Sequence, residues 1–182
     1  LSYNIIINLV EVLWKHEAQQ LYPDTQSYAI FMNEVTVYTG ILATTVSLFL
    51  SGNCLRYLGW TKTAMITPII LLITSIGFFS FFFLKSTSFV SSFLLGFSPL
   101  NLVVLFGTMQ NCLSRAAKYT VFDATKEMAY IPLSQEDKIT GKAAIDGVFN
   151  RMGKSTGSIL YQGLLLVFST LSASAPYVAI IL

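Results

Sequence analysis

Long apolar stretches recur along this chain with only short polar connections between them, and a helix that crosses a bilayer needs about 20 mainly apolar residues. Six segments meet or approach that length. The first runs from Leu1 to about His16, the second from about Tyr28 to Ser51, and the third from about Thr63 to Leu84, ending in the aromatic run FFSFFF. A fourth starts near Phe89 and continues past Asn111 toward Phe122, with a kink expected at Pro99. The fifth covers about Lys142 to Ser169, and the last, from Pro176 to Leu182, is too short to cross. Pro23-Asp24, Gly52-Asn53 and Lys85-Ser86 punctuate the chain as turns, and the polar stretch from Tyr130 to Gly141, with Pro132, reads as its one substantial loop. The expected fold is an all-α membrane protein, residues 1–182 forming a single six-helix bundle truncated at both ends.

Composition agrees, because only 11% of residues are charged, against about 25% in an ordinary soluble domain, and the mean hydropathy is +0.65. A net charge of +2 is too small to draw nucleic acid as a partner. His16 is the single histidine, and Cys54 and Cys112 lie far apart without CxxC spacing, so no metal site or cofactor is expected and both cysteines read as small buried hydrophobes. Catalytic residues are likewise not expected, since no His or Cys cluster or usefully spaced carboxylate pair is present. Leu1 opens directly into an apolar run without a basic leader, and the chain reads as cut from something longer.

Cytoplasmic connections carry an excess of Lys and Arg. The second and fourth connections hold Arg56, Lys62, Arg115, Lys118, Lys126, Lys138 and Lys142, whereas the first and third hold only Lys15 and Lys85. The bias places the 130–141 loop in the cytoplasm.

Within the spans, Asn4, Asn8, Glu11 and Lys15 align on one face of the first helix opposite Ile, Leu and Val. Such a stripe either glues helices together through amide hydrogen bonds or lines a polar cavity in which Glu11 meets a cation. A weaker line runs through Glu34, Tyr38, Ile41 and Thr45 of the second helix. Asn111 lies deeper in the fourth helix than Arg115 and Lys118 and is the better pathway candidate.

The fifth helix carries Asp146, Arg151 and Lys154, and a charge at mid-bilayer costs about 2.5 to 3.5 kcal/mol on insertion scales. Arg151 and Lys154 share a face with Ser158 and Tyr161, while Gly153 and Gly157 make a GxxxG-type surface for close helix packing. Two cations in this arrangement complement an anionic ligand such as phosphate, or pair with Glu11 or Asp146. The run GVFNRMGKS from Gly147 to Ser155 is not a P-loop, because five residues separate its glycines where the motif needs four, and no strand precedes it.

The blocks YNIIINLVEVLWK, LYP, GWTKTAMITP, KYTVFDATKEMAYIPL and GKAAIDGVFNRMGKSTGS resemble the ATP/ADP translocases of obligate intracellular bacteria and plastids, nearly end to end. The resemblance implies a major-facilitator-type carrier of about twelve helices in two halves, of which this chain would be the second, C-terminal half. It implies exchange of ATP for ADP, or proton-coupled nucleotide import in some members, by a multi-pass protein of a bacterial cell membrane or plastid inner envelope. ATP and ADP would be the substrates, and the N-terminal half and membrane lipid the partners. The family's charged transport residues fall on Glu11 and Lys154. Arg151 and Asp146 lie in family-like blocks, and Asn8 and Asn111 would add hydrogen bonds to the substrate. Arg56, Lys126 and Glu127 are gating candidates. Asn33 and Asn150-Arg151 depart from the family pattern. A membrane-embedded enzyme and a structural scaffold are the competing classes, distinguished by nucleotide hydrolysis and by failure to bind nucleotide.

Overall fold

The computed structural model describes residues 2–85, 98–168 and 171–181, which are helical apart from short turns and include no strand. The helices are α1 (Ser2–Leu21), α2 (Thr25–Val46), α3 (Gly52–Leu84), α4 (Pro99–Ala117), α5 (Asp123–Ala129), α6 (Gln135–Lys142), α7 (Asn150–Phe168) and α8 (Leu171–Ile181). Three π-helical turns, Ser47–Ser51, Lys118–Phe122 and Ala143–Phe149, carry the chain without a break from α2 to α3, α4 to α5 and α6 to α7. Two compact units result: Leu1–His16 with Ala129–Leu182, and Glu17–Met128.

Helix starts follow local chemistry. Asp24 caps α2, its carboxylate accepting from the Ser27 backbone N–H at 2.9 Å and the Ser27 hydroxyl at 3.1 Å. Those two bonds hold the Asp24 carboxyl below its ordinary range, the backbone bond contributing most. Pro99 does not kink a continuing helix as expected. It occupies the first turn of α4 behind the Ser98 cap, where a missing N–H removes no helical bond.

The second correction concerns the break after the second span. The helix does not end at Gly52-Asn53, because the π-turn Ser47–Ser51 absorbs the extra residue and helical geometry continues to Leu58. The break falls at Gly59, whose backbone (φ 76°, ψ 172°) lies in a region essentially reserved for glycine. Thr63 closes this corner, its hydroxyl donating to the carbonyls of Gly59 at 2.8 Å and Cys54 at 3.0 Å. Trp60 fastens it, Nε1 donating to the Thr125 carbonyl at 2.9 Å.

Differences at other boundaries are smaller. α1 runs to Leu21 rather than His16, and α8 starts at Leu171 with Pro176 inside it. The stretch 130–141, expected as a loop, is a turn followed by α6, because Ser134 caps a helix whose first turn carries Glu136 and Asp137. Ser86, the expected start near Phe89, and Ser169 lie outside the described residues.

In the Glu17–Met128 unit, α3 buries Thr63, Thr67, Leu71, Ser75, Phe78 and Phe82 along one face. Phe81 stacks on Phe106 of α4 with centroids 4.1 Å apart. α2 meets α4 where the Thr39 hydroxyl donates to the Cys112 sulfur at 3.2 Å. Cys54 and Cys112 are free thiols, Cys112 buried as expected. The outer faces stay apolar, with Ile30, Val37 and Ile41 on α2 and Ile69, Ile73 and Ile76 on α3 exposed. Among the described residues, Thr25–Phe49 and Gly52–Leu84 are long and apolar enough to cross a membrane.

An ion pair with a buried carboxylate lies in this unit. Glu17 is fully buried, and Lys85 Nζ lies 2.6 Å from its Oε2 and 4.6 Å from the centre of the Phe82 ring. An aromatic face and a carboxylate together compensate an ammonium withdrawn from water.

Unfolding of the detergent-solubilised protein is expected to register both features. Gly59→Ala forces a side chain into the left-handed corner and lowers stability by about 1 to 3 kcal/mol. Lys85→Met strips the buried Glu17 carboxylate of its ammonium and lowers it by about 3 to 5 kcal/mol. Glu17→Gln combined with Lys85→Met recovers more than half of that loss; full additivity of the two substitutions would disprove the pairing.

Candidate functional site

The charged face of α7 is set by α1, and the unit that contains both has a simple register. Asn4 Nδ2 donates to Asn150 Oδ1 at 2.6 Å, and one turn later Asn8 Nδ2 donates to the Lys154 carbonyl at 3.2 Å. Both contacts join residues 146 apart in sequence, so α1 and α7 run parallel at constant register. The Lys154 carbonyl also accepts from the Ser158 hydroxyl at 3.2 Å.

Gly153 and Gly157 are the buried residues of α7, as the GxxxG spacing predicts. A Cβ built on Gly157 would stand 3.1 Å from Asn8 Cβ, closer than ordinary packing allows. Only glycine lets the helices approach far enough for the short Asn8 side chain to reach a main-chain carbonyl. The polar stripe of α1 thus works as interhelical glue at Asn4 and Asn8, and Asn8 spends an amide hydrogen on the protein.

With the glycines turned inward, Arg151 and Lys154 are exposed, and neither forms an ion pair with another described residue. The salt bridge to Glu11 or Asp146 considered from sequence is therefore not made. Glu11 instead pairs with Lys15 on its own helix, Oε1 to Nζ 2.7 Å, the carboxylate side chain 19% exposed and the lysine 43%. Asp146 is exposed on the π-turn before α7. An exposed guanidinium and ammonium one turn apart, backed by a fixed helix, can take up the oxygens of an anion.

The remaining candidates lie in the Glu17–Met128 unit. Asn111 is buried on α4 beside Gln110, whose Nε2 is also buried and has no hydrogen-bond partner among the described residues. Arg56 is exposed, its guanidinium 5.8 Å from the centre of the Tyr57 ring. Lys126 pairs with Asp123 at 3.4 Å, and Glu127 is exposed on α5. Asn33 and Glu34, with Ile30, Val37 and Tyr38, line an open depression of about 320 Å³ on α2. Asn150 as the partner of Asn4, and Lys15 as the partner of Glu11, were not singled out as site residues from sequence. The i, i+4 spacing of Glu11 and Lys15 was the available signal; nothing local announced the Asn4 to Asn150 contact.

Residues 1–182 match the model of the TLC ATP/ADP transporter family. ADP,ATP carrier protein 2 of Chlamydia pneumoniae is 46% identical over the whole chain, which covers 34% of that protein. The chloroplastic ADP,ATP carrier protein 2 of Arabidopsis thaliana is 42% identical over the whole chain, covering 29% of it. ADP,ATP carrier protein 1 of Rickettsia typhi is 40% identical over 98% of the chain and 36% of its own length. The chain thus spans about a third of the length of the curated relatives it matches. No solved structure matches it. The family match extends from the first residue to the last, and the chain therefore belongs to the TLC ATP/ADP transporter family, whose members are carriers and not enzymes.

Proposed function

We propose that this chain is the C-terminal six-helix half of a major-facilitator-type carrier that exchanges ATP for ADP across a bacterial or plastid membrane by alternating access. The observation that carries the reading is the α7 face, where Arg151 and Lys154 stand exposed without a carboxylate partner among the described residues. Membership of a family whose relatives are named ADP,ATP carriers supports the choice of anion. Lys154, with Arg151, neutralises nucleotide phosphates, and Glu11 exchanges its pairing as substrate arrives.

Asn8 takes a different part from the one its place in the stripe implies. Its bond to the Lys154 carbonyl supports an indirect role, fixing the rotation of α7 beneath the ammonium. Arg56, Lys126 and Glu127 are assigned to gating on the cytoplasmic side, where the excess of basic residues puts the α5 to α6 connection. Lipid covers the apolar faces of α2 and α3, and the N-terminal half completes the substrate path.

Proteoliposomes holding the full-length protein and loaded with ADP test the assignment through uptake of labelled ATP. Lys154→Ala and Glu11→Ala are each expected to cut exchange about tenfold or more, the scale of one lost charge-assisted contact. Wild-type exchange in either variant would overturn the reading. Net uptake driven by a pH gradient into nucleotide-free vesicles would replace exchange with proton-coupled import.

A further inference from the structure

We propose that the corner at residues 56–62 binds the headgroup of an acidic phospholipid, Arg56 and Lys62 taking its phosphate oxygens while Tyr57, Leu58 and Trp60 lie against the lipid beside it. The inference needs only a chain seated in a membrane and is independent of the substrate carried.

Depth is the first argument. Residues 63–84 are one helical run, about 33 Å long at 1.5 Å per residue, which matches a hydrocarbon core of about 30 Å. Residues 56–62, RYLGWTK, stand at the edge of that run, on the side where the excess of Lys and Arg gathers. Every one of them is exposed, Tyr57 by 76% and Trp60 by 47%. Aromatic side chains with a polar tip settle at the headgroup level, where both of their ends are satisfied.

Shape is the second. Gly59 makes the turn at φ 76°, the Thr63 hydroxyl ties it back to the Cys54 carbonyl at 3.0 Å, and the Trp60 indole N–H anchors it to the Thr125 carbonyl at 2.9 Å. No heavy atom outside the neighbouring residues lies within 4 Å of where a Gly59 Cβ would stand, so the middle of the corner is open. A ligand meets a surface already held in place, which spares it the cost of ordering one.

Charge is the third. Between Glu34 and Asp123 the sequence has no acidic residue, yet it has Arg56, Lys62, Lys85, Arg115 and Lys118. Helix α5, which Trp60 reaches, brings Asp123 and Glu127, but Asp123 pairs with Lys126 at 3.4 Å. Neither Arg56 nor Lys62 forms an ion pair with another described residue. The Arg56 guanidinium lies 5.8 Å from the centre of the Tyr57 ring, and its fork of N–H donors suits the oxygens of a phosphate. A soluble anion would leave Tyr57, Leu58 and Trp60 in water, whereas a phospholipid answers the cations and the apolar surface together.

Crosslinking at the corner of the full-length protein tests the assignment. Leu58→benzoylphenylalanine places a photoreactive group there, and the protein is irradiated in vesicles made of equal amounts of phosphatidylglycerol and phosphatidylcholine. Mass spectrometry of the adducts is expected to show phosphatidylglycerol captured more than about tenfold over phosphatidylcholine, with Lys62→Gln cutting that preference about fivefold. Arg56→Gln combined with Lys62→Gln abolishes it, while Arg56→Lys combined with Lys62→Arg, which keeps both charges, stays within about threefold of the unsubstituted corner. Equal capture of the two lipids overturns the inference, as does a preference that survives loss of both charges or disappears in the charge-keeping exchange. Lys138→Gln, a charge from elsewhere on the same side, leaves the preference intact; an equal loss there would reduce the effect to general surface attraction and overturn the site. Adducts to protein in place of lipid would make the corner a protein contact. Displacement by inorganic phosphate, but not by chloride at the same ionic strength, would make it a soluble-anion site, and either result replaces the lipid.

Discussion

A peptide group in a bilayer has no water to turn to, so every N–H and C=O must find its partner inside the protein, and a helix is the only open-ended way to do so. Departures from helical geometry are consequently few, and each has a replacement bond or a residue that needs none. At Gly59 the main chain turns through a left-handed conformation, and the Thr63 hydroxyl donates to the carbonyls of Gly59 and Cys54 across the corner. At Pro99 the residue without an N–H sits where the helix has no use for one. The three π-turns admit an extra residue without unpairing the backbone on either side.

The same scarcity of partners shapes the contact between α1 and α7. In an apolar medium the hydrophobic effect does not sort one helix face from another, and close packing with side-chain hydrogen bonds decides. Gly153 and Gly157 permit the approach, and Asn4 and Asn8 convert it into a fixed register by reaching Asn150 and a main-chain carbonyl. Burial of the glycine edge turns Arg151 and Lys154 outward. The small residues and the cations are two consequences of one rotation of α7.

Sequence patterning made the helices legible because a membrane leaves so few alternatives, and the GxxxG spacing made the packing edge of α7 legible as well. It misled at boundaries, where Gly52-Asn53 looked like a stop although, among the described glycines, Gly59 is the one that takes up a positive φ. Short polar segments misled too, since 130–141 has the composition of a loop while Ser134 caps a helix within it. At the site, the stripe Asn4, Asn8, Glu11 and Lys15 was visible, but its division of labour was not. Two asparagines bind protein and a glutamate binds its own helix, and that depends on a register between residues 146 apart that no local pattern encodes.

Charge placement gives the proposed exchange its physical logic. Buried Glu17 pairs with the partly exposed Lys85, and an aromatic ring helps to compensate the ammonium, so each charge of this pair has an opposite charge beside it. Arg151 and Lys154 have no such partner among the described residues, and water serves them while they remain exposed. Alternating access requires a substrate site near the bilayer midplane to lose its contact with one aqueous phase before it gains the other. Two unpaired cations passing through that state carry a desolvation penalty of several kcal/mol each. On the proposed reading a bound nucleotide would supply the missing negative charge and lower that barrier, so that the loaded carrier reorients and the empty one stays put. In the proposed mechanism, exchange rather than one-way flow follows from leaving Lys154 and Arg151 without a carboxylate partner among the described residues.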